Sequence, residues 1–312
     1  MTRPPPGRTQ KPRRLWSFSL VEVLVSIAVL SILIIVLLSM LSSLTGAWQL
    51  GQGHNERRNI GEAVFDRMTR DLSQAAVPTD RTNTNNLEFV INPSTVTGTY
   101  ENPQALFFQA PVATDGGTNG NLAVVGYFVQ WVNGGGSSPG TPCLSRVLIN
   151  PSASDYAVYT TPNNWINGPL LTKYAASTSS SGYAGLMAEN VLGLWVQALD
   201  PQANPINQGI STTLNGEAFD SRYPYTYTNY AFSSKPMVTN IACALPSSMQ
   251  VAIVVMDSRT AQRLGTYGKP TYPTLTGAFW TDVQSFYNGL PLPIRKGSEI
   301  ETMTIPLENG TR

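Results

Sequence analysis

From Val23 to Gly53 the chain carries no charged residue, and a single carboxylate, Glu22, stands at the mouth of that stretch. The run exceeds the roughly 20 apolar residues that a bilayer demands of a spanning helix. A glutamate lying alone near a bilayer centre costs on the order of 2.5–3.5 kcal/mol. A chain needing only an anchor gains by losing it, so Glu22 calls for a partner.

The residues ahead of the run set its direction. Arg3, Arg8, Lys11, Arg13 and Arg14 give the first 17 positions a charge of +5 with no acid. Basic residues beside a span keep that end cytoplasmic, so the C-terminal bulk is expected on the other side. A cleaved secretory signal would have an apolar core of about 7–15 residues followed by a small-x-small site. The run here is far longer, which leaves a signal anchor or a signal of a different kind.

Ser17-Phe18-Ser19-Leu20-Val21-Glu22-Val23 resembles the class III signal of type IV prepilins and type II secretion pseudopilins. The resemblance implies that a membrane aspartyl peptidase cuts between Ser17 and Phe18 and that the new terminal Phe18 is N-methylated. It also implies that Glu22 neutralises the terminal amine of a neighbouring subunit during assembly. Ser17 stands where the family usually has Gly.

Beyond the span the helical pattern continues. Ile60, Val64, Met68 and Leu72 recur every four residues, with Phe65 and Ala75 beside them, forming a one-sided apolar stripe. Asp66 with Arg70, and Arg67 with Asp71, are placed to pair at i,i+4 on the wet face. Pro78 ends the pattern. A helix from about Phe18 to about Ala76 would be roughly 88 Å long. Gly46, Gly51, Gly53 and Gly61 lower its propensity, so a kink or melted turn is expected there.

Charged residues make up 12% of the 312, about half the usual share. That favours a loop-rich, extracytoplasmic β domain over a cytosolic enzyme. Loss of the five leader cations takes the net charge from +1 to −4, so nothing basic remains to bind nucleic acid by charge alone. Strands are expected at Leu87–Ile91, Ala105–Ala110, Val124–Val132, Leu144–Ile149, Val191–Leu199, Met249–Met256 and Glu301–Pro306. Short helices are expected at Asp257–Leu264 and Thr281–Tyr287. Turn-rich tracts fill Asp115–Asn121, Asn133–Pro142, Ala175–Gly185 and Pro201–Tyr230. The expected fold class is α+β: a long N-terminal transmembrane and amphipathic helix packed on an antiparallel β-sheet domain, pilin-like, with long loop insertions. The expected division is a basic leader at 1–17, a transmembrane half-helix at 18–45, an amphipathic half at 46–77 and a β-rich head at 78–312.

Phe65-Asp66-Arg67-Met68-Thr69-Arg70-Asp71-Leu72 is similar to the helix segment of J-type minor pseudopilins. Glu189-Asn190-Val191-Leu192-Gly193-Leu194-Trp195-Val196 is similar to their central strand. Leu245-Pro246-Ser247-Ser248-Met249-Gln250-Val251 is similar to their late strand entry. The arrangement also looks like the prepilin-like Verru_Chthon cassette protein C family.

The chemistry-bearing residues are sparse. His54 is the only histidine, so a Ser-His-Asp triad would have to use it; a solvated residue at a membrane-proximal turn is the plainer reading. Asp257, Asp282, Glu299 and Glu301 lie near element ends, where scattered surface acids are commoner than an acid/base pair. Two cysteines and one histidine do not make a four-ligand zinc site. Asp115–Asn121 offers oxygen ligands for calcium but lacks a closing Glu. No metal and no cofactor is expected. Cys143 and Cys243 either bridge, closing a long loop on the oxidising side of the membrane, or remain two buried thiols. Tyr223, Tyr225, Tyr227 and Tyr230 suit adhesive contacts or cross-strand packing in a hairpin.

The expectation is therefore a minor pilin or pseudopilin, not an enzyme, held single-pass in the inner membrane. Its N-terminus is cytoplasmic and its head is periplasmic or carried in an extracellular fibre. Its partners are other pilins or pseudopilins, the prepilin peptidase/methyltransferase and the inner membrane. The 236 residues after Ala76 make a large head, which places the subunit at or just below a fibre tip. The rival class is a single-pass, membrane-anchored extracytoplasmic adhesin or enzyme with an uncleaved signal anchor.

Overall fold

The computed structural model describes residues 19–77, 87–96, 98–115, 119–132, 139–161, 165–174, 184–206, 208, 219–229, 237–241 and 244–310. It divides into two units, Met1–Gln52 and Gly53–Arg312. The fold is α+β, with a long N-terminal apolar helix and antiparallel sheets.

In the first unit the described residues belong to helix α1 (Leu20–Ser73), which is long and apolar enough to cross a membrane. Its large side chains from Leu20 to Leu50 are exposed. Four of the six hydroxyls in this stretch do not break the apolar surface, because they bond back into their own helix. Ser26 donates to the Glu22 carbonyl, Ser31 to Ile27, Ser43 to Ser39 and Thr45 to Leu41, at 2.7–3.0 Å. Such back-bonding satisfies these hydroxyls in a hydrocarbon environment. The melted turn expected at the glycines does not form: α1 is helical through Gly46, Gly51, Gly53 and Gly61. The cost of each glycine, about 1 kcal/mol, is small against the propagation of so long a helix.

In the second unit, ten strands form three antiparallel groups among the described residues. Strands β1 (Val90–Ile91), β2 (Ala105–Ala110), β3 (Ala123–Val132), β4 (Thr141–Ile149) and β5 (Ala184–Glu189) follow one another in a five-stranded meander. Strands β6 (Val191–Leu199), β9 (Ser248–Met256) and β10 (Ser298–Pro306) form a second sheet in the order β10-β9-β6; β7 (Tyr225–Asn229) and β8 (Met237–Ile241) pair as a hairpin. The expected strands are all present. Strands β5, β7 and β8 arise where only turns, or nothing, were expected, as do helices α2 (Gly168–Tyr174) and α5 (Leu292–Lys296).

Period-two alternation sorts the side chains into layers. Leu106, Phe108, Val125, Tyr127 and Val129 of the first sheet face Val251, Ile253 and Val255 of the second. The α1 stripe, Val64, Phe65, Met68 and Leu72, enters that same cluster. The opposite residues of the first sheet, Phe107, Val124 and Phe128, pack with Trp165 and Leu171. The opposite residues of β9, Ala252, Val254 and Met256, pack under α3 (Ser258–Tyr267) and α4 (Phe279–Gly289). Both sheets are thus covered on both faces, which is why β2 and β3 read as near-continuous apolar runs. At Gly126, paired with Phe107, a Cβ would lie 2.4 Å from the phenyl ring, so glycine there makes room for the aromatic.

Candidate functional site

Ser17 and Phe18 lie outside the described residues. Glu22 sits in the first turn of α1, its amide bonded to the Ser19 carbonyl at 3.0 Å. A carboxylate there is favoured by the helix dipole. Among the described residues no side chain reaches it, and it is exposed.

Below the apolar stretch, α1 meets the head through charge. Arg57 donates to Asp257 at 2.9 Å and to Glu299 at 3.2 Å, and His54 Nδ1 lies 3.0 Å from the same Glu299 oxygen. Glu56 accepts from the Ser258 amide and hydroxyl at the start of α3, where Asp257 is the N-cap and accepts from Thr260. At Gly61 a Cβ would stand 2.9 Å from Glu301 Cγ, so the missing side chain sets how closely α1 approaches β10. His54 is therefore no lone solvated residue; it caps an ion-pair cluster. The acids weighed for catalysis hold structure here. Asp257 and Glu299 grip Arg57, Glu301 packs on Gly61, and Asp282 accepts from the Thr276 amide and hydroxyl and the Gly277 amide.

A second cluster corrects one expectation. Asp71 is not on the wet face: it is 2% exposed. It takes hydrogen bonds from Tyr127 of β3 and Arg146 of β4, both at 2.5 Å, with Arg67 at 3.4 Å. Burial, followed by the Asp71 charge, pushes the Tyr127 hydroxyl far above its ordinary value. Burial, the largest influence on Arg146, would lower its pKa; the Asp71 hydrogen bond and charge together with Tyr127 outweigh it, and the net shift is upward. The result is a guanidinium that stays charged inside the core because a carboxylate on the helix holds it. Asp66 and Arg70 do pair on the wet face, at 2.7 Å.

A third cluster lies at the β1 edge. The buried Glu88 and Asp220 carboxylates share the guanidinium of Arg222, and the Trp165 indole donates to Glu88. Burial first, then the Asp220 charge, pushes Glu88 up to about 8, against the pull of Arg222 and Trp165. The available signal for both buried clusters was a charged residue inside an apolar run, Glu88 in Leu87–Ile91 and Arg146 in Leu144–Ile149. The partners were not legible, since they are far away in sequence.

Cys143 is a free, buried thiol that donates to the Thr141 carbonyl at 3.5 Å. Burial, then the Glu189 charge, pushes it up to about 12, which makes it unreactive at neutral pH. Cys243 lies outside the described residues. In the turn-rich tract weighed for calcium, Asp115 accepts from the Ser152 amide at 3.0 Å, and 116–118 lie outside the described residues. Among the described residues no three metal-ligating side chains cluster. Tyr225 and Tyr227 are buried on alternate positions of β7, Tyr223 is exposed, and Tyr230 lies outside the described residues. The two β7 rings therefore pack inward instead of offering adhesive surface. No protein-family model and no curated protein matches this chain.

Proposed function

We propose that this protein is a minor pilin or pseudopilin, a structural subunit of a type IV pilus-like or type II secretion-like fibre. The observation that carries this reading is Glu22. It is a carboxylate with no side-chain partner among the described residues, in the first turn of a 54-residue helix, followed by an exposed apolar stretch and preceded by five basic residues. In this reading the basic leader keeps the N-terminus cytoplasmic and the helix rests in the inner membrane, with the head on the far side. The peptidase/methyltransferase cuts between Ser17 and Phe18 and methylates Phe18. The new amine and a neighbour's Glu22 then neutralise one another inside a bundle of apolar stems, where either charge alone would be costly. The buried stripe of the second half-helix supports the reading, because it fixes the stem to a folded head.

Mass spectrometry of the protein from its native membrane tests this directly. The expected N-terminus is Phe18, methylated; a chain retaining Met1 or Thr2 overturns the proposal in favour of an uncleaved, membrane-anchored adhesin or enzyme. In the same preparation Glu22→Ala is expected to insert normally yet to lose co-purification with partner pilins.

A further inference from the structure

The segment 219–223 is laid along the outer edge of β1, extending the five-stranded sheet. The Ile91 amide donates to the Phe219 carbonyl at 2.8 Å and the Ser221 amide to the Phe89 carbonyl at 2.9 Å. The Phe89 amide donates to Ser221 Oγ at 2.8 Å, and Asp220 bridges Val90. Gln208 clamps the outside, donating to the Asp220 and Tyr223 carbonyls and accepting from the Asp220 amide.

Beneath this segment the charges do not balance. Glu88, Asp220 and Arg222 are all sealed from solvent, with side-chain exposures of 5%, 7% and 14%. Arg222 lies 2.6 Å from Glu88 and 2.7 Å from Asp220 through the same Nη2, and it takes the second Asp220 oxygen through Nε at 3.1 Å. Among the described residues the Trp165 indole donates to Glu88, Gln109 accepts from the Glu88 amide, and Tyr223 lies near Arg222, all three neutral. Two ionised carboxylates with one guanidinium would leave a net negative charge in a nearly dry site, which is costly. A proton on Glu88 removes it, because Glu88 and Asp220 meet at the same Arg222 Nη2.

We propose that residues 219–223 form a proton-tightened strap, docked on β1 through a Glu88 carboxyl that carries a proton and loosened as that proton leaves. The docked state raises the affinity of Glu88 for its proton, whereas the open state returns the carboxyl to water. Docking is therefore at full strength below the ordinary carboxylate value of 4.5 and weakens as pH rises to about 8. Above that, both states are ionised and the dependence levels off. The strap leads directly into β7, so its release frees the entry to the β7–β8 hairpin.

Hydrogen exchange on the full chain in detergent, divided by the intrinsic rate at each pH, reads this out. The amides of Ser221 and Ile91 are expected to open about tenfold more per pH unit between pH 5 and pH 8, while amides of β9 keep a flat profile. Glu88→Gln, which preserves shape and hydrogen bonds, is expected to abolish the slope, as is Asp220→Asn, which restores one acid to one base. A flat wild-type profile, a slope shared with β9, or a slope that survives in Glu88→Gln overturns the proposal.

Discussion

Between Leu20 and Leu50, α1 exposes Leu24, Ile27, Leu30, Ile34, Leu37 and Leu41, whereas between Val64 and Leu72 it hides Val64, Phe65, Met68 and Leu72. The same backbone geometry serves both, and the difference lies in what each stretch leaves for a partner. The first has apolar residues on all sides and bonds four of its six hydroxyls inward, so a solvent or neighbour that meets it must be largely apolar. The second confines its apolar residues to one stripe and adds Asp71 to it. That stretch is therefore committed to one docking geometry, because a buried carboxylate accepts only a site that supplies Tyr127 and Arg146. Apolar matching tolerates sliding; a buried ion pair does not.

The comparison breaks most visibly at Asp71. Asp71→Asn leaves Arg146 charged in the core without its carboxylate, and breaking a buried pair costs about 3–5 kcal/mol. Denaturant unfolding of the full chain in detergent, followed by tryptophan fluorescence, is expected to show that loss. Replacing both partners, Asp71→Leu with Arg146→Met, should recover most of it. If the double variant is as unstable as the single one, the pair is not what holds the helix on the sheet.

Next in size is a matched truncation. Leu72→Ala empties a fully buried site and should cost about 2–5 kcal/mol by the same measurement. Leu33→Ala, in the apolar stretch, removes an exposed side chain and should leave the stability of the head unchanged. Equal losses at the two positions would mean that the apolar stretch is also part of the folded core.

The stripe at 60, 64, 68 and 72 was legible because spacing alone defines a helix face. The long strands were legible because both their faces are buried, so β2 and β6 match the expected Ala105–Ala110 and Val191–Leu199 residue for residue. Strand β5 was missed because Ala184–Glu189 lacks β-branched residues and follows a Ser-rich tract. It forms through its ladder to β4, a tertiary cause that local propensity does not contain. Asp71 was misplaced for a related reason. An i,i+4 partner at Arg67 explains it locally, and only the fold brings Arg146 from 75 residues away. At the N-terminus the reverse holds. The reading of Ser17, Phe18 and Glu22 comes from the sequence, and among the described residues Glu22 has no side-chain partner.

The smallest expected effect lies on the outer face of the second stretch. Asp66 and Arg70 approach to 2.7 Å, with both side chains more than 60% exposed. At that exposure water screens the charge and two long side chains lose freedom to hold one geometry, so such a pair contributes about 0.3–0.5 kcal/mol. Arg70 also stands in the last turn of α1, where a cation interacts favourably with the helix dipole by a similar amount. Arg70→Ala is therefore expected to lower stability by less than about 1 kcal/mol, and salt should erase most of the difference. The neighbouring Arg67–Asp71 pair has the same spacing on the same helix but one buried partner, so Asp71→Asn should stay costly in high salt. A salt-insensitive loss at Arg70 comparable to that at Asp71 would show that the outer face, too, is covered, and that the second stretch has a partner on both sides.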